Sequence, residues 1–187
     1  MKVIKLSVLT ILIFLLSGCT NLKVANLDPN SGRFKTDEKA TVLKSNKIDL
    51  DLKKSLLLVP EHPFIKGQIK NINYFDKTIT FSELETLIIK NKLTEKVPSL
   101  HNKIGIYKAY NAYKPFLWLR MEIREDGFKR YAQFIITDPK SQEDLFIVEK
   151  YLDYIWAGVN DQNTWYPMFN SIVDYIEQNS KTWSHKK

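Results

Sequence analysis

Few residues of this chain are of types that do chemistry unaided. Its only thiol is Cys19, and its histidines are His62, His101 and His185. A zinc or hydrolytic centre needs several converging ligands, or a nucleophile with a base beside it. The one set from which such a centre can be drawn is Glu61, His62 and His101. Glu61-His62 follows an apolar run closed by Pro60, the end of a strand where α/β sheets bind ligands. His101 follows a later turn, and His185 belongs to the C-terminal tail. No pair in the set has helical ligand spacing, and surface histidines account for them more simply. The sequence contains no Gly-x-Ser-x-Gly, His-Glu-x-x-His, phosphate loop or dinucleotide fingerprint. The expectation is a protein that is not an enzyme and holds no cofactor or metal, with an enzyme or metal binder on Glu61, His62 and His101 as the alternative.

A second group of residues suits binding rather than catalysis. Between Tyr154 and Pro167 two tryptophans and two tyrosines flank an amide-rich loop, in a chain whose other loops are lysine-rich. Flat rings stack on sugars or peptides, amides sort hydroxyls, and Trp and Tyr are favoured at protein contacts. Trp156, Asn160, Asp161, Asn163, Trp165 and Tyr166 are therefore the candidate partner surface. The plainer account makes the tryptophans core residues and the amides caps of the last helix.

The N-terminus has the parts of an export signal: Lys2 and Lys5, an apolar run from Leu6 to Leu16, and small residues before a cut. The run is about half the length of a membrane span, which needs about 20 apolar residues. Leu16-Ser17-Gly18-Cys19 resembles the lipobox of bacterial lipoproteins. That resemblance implies cleavage between Gly18 and Cys19 and a diacylglycerol on the Cys19 sulfur, with further acylation, such as palmitate, on the new amino group. Thr20 differs from the Asp of an inner-membrane retention signal, so the expected location is the outer membrane, with the domain facing the periplasm. With Cys19 modified, no thiol remains for a disulfide.

The formal charge of +7 does not mark a nucleic-acid binder. Lys2 and Lys5 leave with the signal, and residues 23–54 hold eight Lys or Arg against five Asp or Glu, so the excess sits outside the main body of the domain. Residues 1–18 are the signal peptide and 19–47 a lipidated flexible tether, polar and with Phe34 as its only aromatic. Residues 48–180 form a single domain, and 181–187 a frayed tail. About 30 residues of flexible chain reach about 30 Å, enough to hold a domain clear of a membrane.

Element positions follow from hydrophobic period and punctuation. Ile48-Asp49-Leu50-Asp51-Leu52 alternates like an edge strand, and Ser55–Val59 reads as a strand covered on both faces. Phe64–Ile72 has helical spacing. Phe75–Ile79 is a short strand, and Thr80-Phe81-Ser82-Glu83 a capping box that opens a helix to about Asn91. Ile104, Ala109, Ala112 and Tyr113 mark another helix. Phe116 to Trp156 reads as three strands with short turns at Glu125-Asp126-Gly127 and Asp138-Pro139. A closing helix runs from about Thr164 to Gln178, with Pro167 in its first turn.

The predicted fold is an α/β (α+β) sandwich: a mixed sheet with a C-terminal three-stranded antiparallel meander and helices packed on it. The element order over residues 55–178 resembles the periplasmic domain of TolB's N-terminal part, of CsgG-type lipoproteins and of lipoprotein activators of penicillin-binding proteins. The chain also looks like many proteobacterial lipoproteins. These resemblances imply a lipoprotein, held to the membrane through Cys19, whose domain binds an envelope protein or peptidoglycan as an adaptor. A surface-exposed adhesin-like factor is the other binding reading.

Overall fold

The computed structural model describes residues 22–154 and 158–183. Its six strands are β1 (Thr41–Ser45), β2 (Leu57–Leu58), β3 (Thr78–Ile79), β4 (Leu117–Asp126), β5 (Lys129–Asp138) and β6 (Glu143–Tyr151). Its four helices are α1 (Pro63–Ile72), α2 (Phe81–Lys90), α3 (Lys103–Ala112) and α4 (Tyr166–Asn179). The strands form one mixed sheet in the order β1-β6-β5-β4-β2-β3. β2 runs parallel to both β3 and β4, while β4, β5, β6 and β1 are each antiparallel to the next. The predicted α/β arrangement with its antiparallel meander is observed.

Leu56, Leu57, Leu58 and Val59 are completely buried, and their alternation divides them between two cores. Leu57 and Val59 face α1 and α4, together with Leu119, Phe134, Ile136 and Val148 from the meander. Leu56 and Leu58 face α2 and α3, and meet Leu84, Ile88, Ile106 and Ala109. An unbroken apolar run is what a strand with helices on both faces requires. From the sheet region the second core takes only Leu56, Leu58, Ile79, Phe116 and, at its margin, Trp118. Among the described residues, the same face of β5 and β6 therefore has no helix against it.

Local signals hold where side chains close the helix ends. The Thr80 amide donates to Glu83 Oε2 at 2.9 Å, the return arm of the capping box. Asn102 Oδ1 accepts from the Gly105 amide at the start of α3. Pro167 falls in the first turn of α4, where its missing N–H costs nothing. α4 is preceded by a wide turn at Asp161–Trp165.

Four expectations are corrected. First, the polar stretch before Ile48 is not a tether over the residues described. Phe34 is 1% exposed and stacks on Tyr166 with ring centroids 5.4 Å apart. Thr41–Ser45 is the edge strand β1, paired with β6. Second, Ile48–Leu52 is not a strand: Asp49 Oδ1 accepts from the Asp51 amide and starts a single 3-10 turn at Leu50–Leu52. Local Asp-to-backbone bonding has displaced the ladder. Third, the helix marked by Ile104, Ala109, Ala112 and Tyr113 is present as α3, but of those four only Ala109 is buried, beside Gly105 and Ile106, while Ile104 is 67% exposed. Fourth, Lys181 and Thr182 are held by Asp51 rather than frayed, and Trp183 packs against Tyr74. No helix among the described residues is long and apolar enough to cross a membrane.

Candidate functional site

Gly18, Cys19, Trp156 and His185 lie outside the described residues. Of the alternative metal set, Glu61 Oε2 accepts from the Ser82 amide at 3.2 Å. That bond, with help from Thr80, holds the Glu61 carboxyl below its ordinary range. His62 is the residue before α1, edge-on to Phe64. His101 sits in the turn before α3, where its amide donates to Ser99 Oγ. No group of three or more His, Cys, Asp or Glu among the described residues could hold a metal ion, so Glu61, His62 and His101 do not form a cluster.

The aromatic and amide loop is used by the chain itself. Asn160 Oδ1 accepts from the Asn163 amide and opens the turn. Asp161 Oδ2 accepts from the Lys23 amide at 3.2 Å. The Gln162 carbonyl accepts from the Thr36 hydroxyl at 2.6 Å. Trp165 packs on Phe134, with centroids 6.0 Å apart. Tyr166 is buried under Phe34, and its hydroxyl donates to the Lys23 carbonyl. Burial raises the Tyr166 hydroxyl above its ordinary pKa. Residues 22–36 are thus the partner that occupies much of this loop.

The N-terminal segment continues its contacts along two helices. The Ala25 amide donates to Gln68 Oε1, and Asn71 Nδ2 donates to the Ala25 carbonyl at 2.7 Å. Val24 lies over Gly67, where any Cβ would stand 2.5 Å from Val24 Cγ2. Further on, Asn170 pairs with both backbone groups of Phe34, at 2.7 and 2.9 Å. Arg33 bridges Asp174 and Glu177 on the outer side of α4.

The open face of the meander carries an array that sequence reading missed. Arg124 grips Glu149 with two bonds of 2.9 Å, and its guanidinium lies 4.3 Å from the Tyr131 ring centroid. Gln133 Nε2 donates to the same carboxylate. The Glu149 side chain is only 7% exposed. The Arg124 bonds first, and Gln133 second, hold its carboxyl below the ordinary value. Four residues earlier on β4, Arg120 donates to Asp144 at 2.8 Å and to the Thr137 hydroxyl, also pairs with Glu122, and lies over Trp118. Tyr131 and Tyr151, opposite each other on β5 and β6, bring their rings to 5.6 Å.

The array is a built surface rather than a reactive centre, because Glu122, Asp144 and Glu149 are each engaged by a guanidinium. Its signal in the sequence was the alternation of Trp118, Arg120, Glu122 and Arg124 along β4, which places all four side chains on one face. Their cross-strand partners lie on β5 and β6, up to 25 residues away for Glu149. Comparison of the chain with protein-family models, with curated proteins and with solved structures finds no match in any of the three.

Proposed function

We propose that this protein is a lipid-anchored component of the bacterial envelope, attached to the outer membrane through Cys19, whose periplasmic domain binds another envelope component without catalysing a reaction. The anchoring reading rests on Leu16-Ser17-Gly18-Cys19 behind a short export signal. The binding reading is carried by one observation: the face of β4, β5 and β6 beyond the second core, with no helix against it among the described residues, presents Arg120, Arg124, Tyr131 and Tyr151 in one ordered array, with Trp118 at its margin against Phe81 of α2. Trp, Tyr and Arg are the residue types that dominate binding energy at protein interfaces. Here their conformations are set in advance by cross-strand pairing, which lowers the ordering cost of association. A protein partner fits this array better than peptidoglycan, because its cations and anions are already matched and offer flat rings and guanidinium faces rather than unmet hydroxyl-binding groups.

The test is photo-crosslinking in living cells from an amino acid placed at Tyr131 or Tyr151, with Ile104 on α3 as the control position. A discrete protein adduct from the two sheet positions and none from Ile104 is expected. The same adducts from all three positions, or glycan adducts alone, would count against the proposal. Trp165→Ala is a poor probe of binding, since that ring packs in the core.

A further inference from the structure

We infer that the lipid anchor holds the helical side of the sheet, where residues 22–36 lie over α1 and α4, toward the phospholipid headgroups, and so directs the open sheet face away from the membrane. This rests on the proposal that Cys19 is acylated. Only Thr20 and Asn21 separate Cys19 from Leu22, which already packs against the α1/α4 core. Three residue steps span about 11 Å at full extension. From Leu22 onward the chain is committed: Lys23 to Asp161 and Tyr166, Val24 over Gly67, Ala25 between Gln68 and Asn71, and Phe34 under α4.

The direction follows from which face these contacts occupy. Leu22, Ala25, Leu27 and Phe34 belong to the core that joins α1 and α4 to the sheet. The array of Arg120, Arg124, Tyr131 and Tyr151 alternates with the strand residues of that core, so it lies on the opposite face. An anchor about 11 Å long on the helical side cannot reach around the sheet. Lys23 and Lys35, both exposed, lie on the segment itself and suit phosphate groups.

The experiment uses the full chain, processed in a bacterial host and placed in vesicles of phosphatidylethanolamine and phosphatidylglycerol with nitroxide-labelled headgroups. A fluorescent amino acid replaces either Lys35, on the segment over α4, or Glu122 on the open face. Strong quenching at Lys35 and little at Glu122 is expected. A flexible Gly/Ser insert of a dozen residues between Asn21 and Leu22 should abolish the difference while the protein stays on the vesicles. Equal quenching at both sites in the parent chain, or a difference that survives the insert, would overturn the inference while leaving the anchor intact. Mass analysis separates the two ideas: an unmodified Cys19 sinks the anchoring proposal and this inference with it, whereas an acylated Cys19 with a freely tumbling domain sinks the inference alone.

Discussion

Asp51 accepts both polar groups of Thr182, the amide at 3.1 Å and the hydroxyl at 2.7 Å, and so fastens the C-terminal end of the described chain to the 3-10 turn before β2. The same carboxylate accepts from the Ser180 hydroxyl at 2.6 Å, the Lys181 amide at 2.7 Å and the Tyr74 hydroxyl at 3.1 Å. The Ser180 bond leads, and the donors together hold the Asp51 carboxyl far below its ordinary range. Because the folded value is depressed, the stabilisation is complete above the unfolded value near 4 and is lost as pH falls below it. Asp51→Asn should remove that acid sensitivity and release Lys181–Trp183. Amide exchange at Lys181 and Thr182, with the emission of Trp183 beside Tyr74, is the check; unchanged protection at those amides would refute it.

Phe34 tests whether residues 22–47 are part of the fold. Its ring is enclosed by Tyr166 and Phe169. Phe34→Ala should cost about 3–5 kcal/mol in urea unfolding, the range for deleting a buried aromatic ring. A segment that merely tethers would give no measurable change.

Two glycines in helices should respond in opposite ways. At Gly105 a Cβ would meet the Ser99 carbonyl oxygen at 2.0 Å, and backbone cannot step aside. Gly105→Ala should destabilise by about 1–3 kcal/mol, as overpacking does. At Gly67 the obstacle is the Val24 side chain, so Gly67→Ala should displace Val24 while α1 gains up to about 1 kcal/mol of helix propensity. Amide exchange should then accelerate at Val24 and Ala25 without loss of α1; slow exchange there would show that the segment tolerates the methyl group.

Arg124→Ala strands the Glu149 carboxylate with Gln133 as its remaining side-chain donor. An ionised group left half-satisfied under low exposure is costly, and the cost disappears when it is protonated. In the parent protein the depressed Glu149 value adds stability above the unfolded value near 4.3, and that stability fades below it. Both effects act in one direction. The stability gap between parent and variant should be widest at pH 7 and shrink as pH falls toward 4, as read from urea midpoints. A gap independent of pH would show that the pair contributes packing alone.

What sequence could show depended on how far apart the interacting residues lie. Thr80 and Glu83, Pro167 in the first turn of α4, and the turn at Gly127 act over a few residues, and each is found as expected. β1 could not be read in this way. It is an edge strand with little burial, its partner β6 begins nearly a hundred residues later, and a register shift between Val42 and Lys44 breaks its alternation. Such bulges and lysines blunt a sheet edge against further pairing, and they also erase the period that identifies a strand. The aromatic loop stands out in composition, yet its Asp161, Gln162 and Tyr166 meet residues 23, 36 and 34 of the same chain. Composition marked a contact there without saying whose.

The seating of residues 22–36 also fixes an order of events. Phe34 and Asn170 are 136 positions apart, so a chain emerging N-terminus first has no surface for its own leading segment until α4 has followed. What is made first is seated last, and closure of this long loop is slow relative to local structure. Until then Phe34, almost completely buried once seated, stands uncovered as an apolar ring.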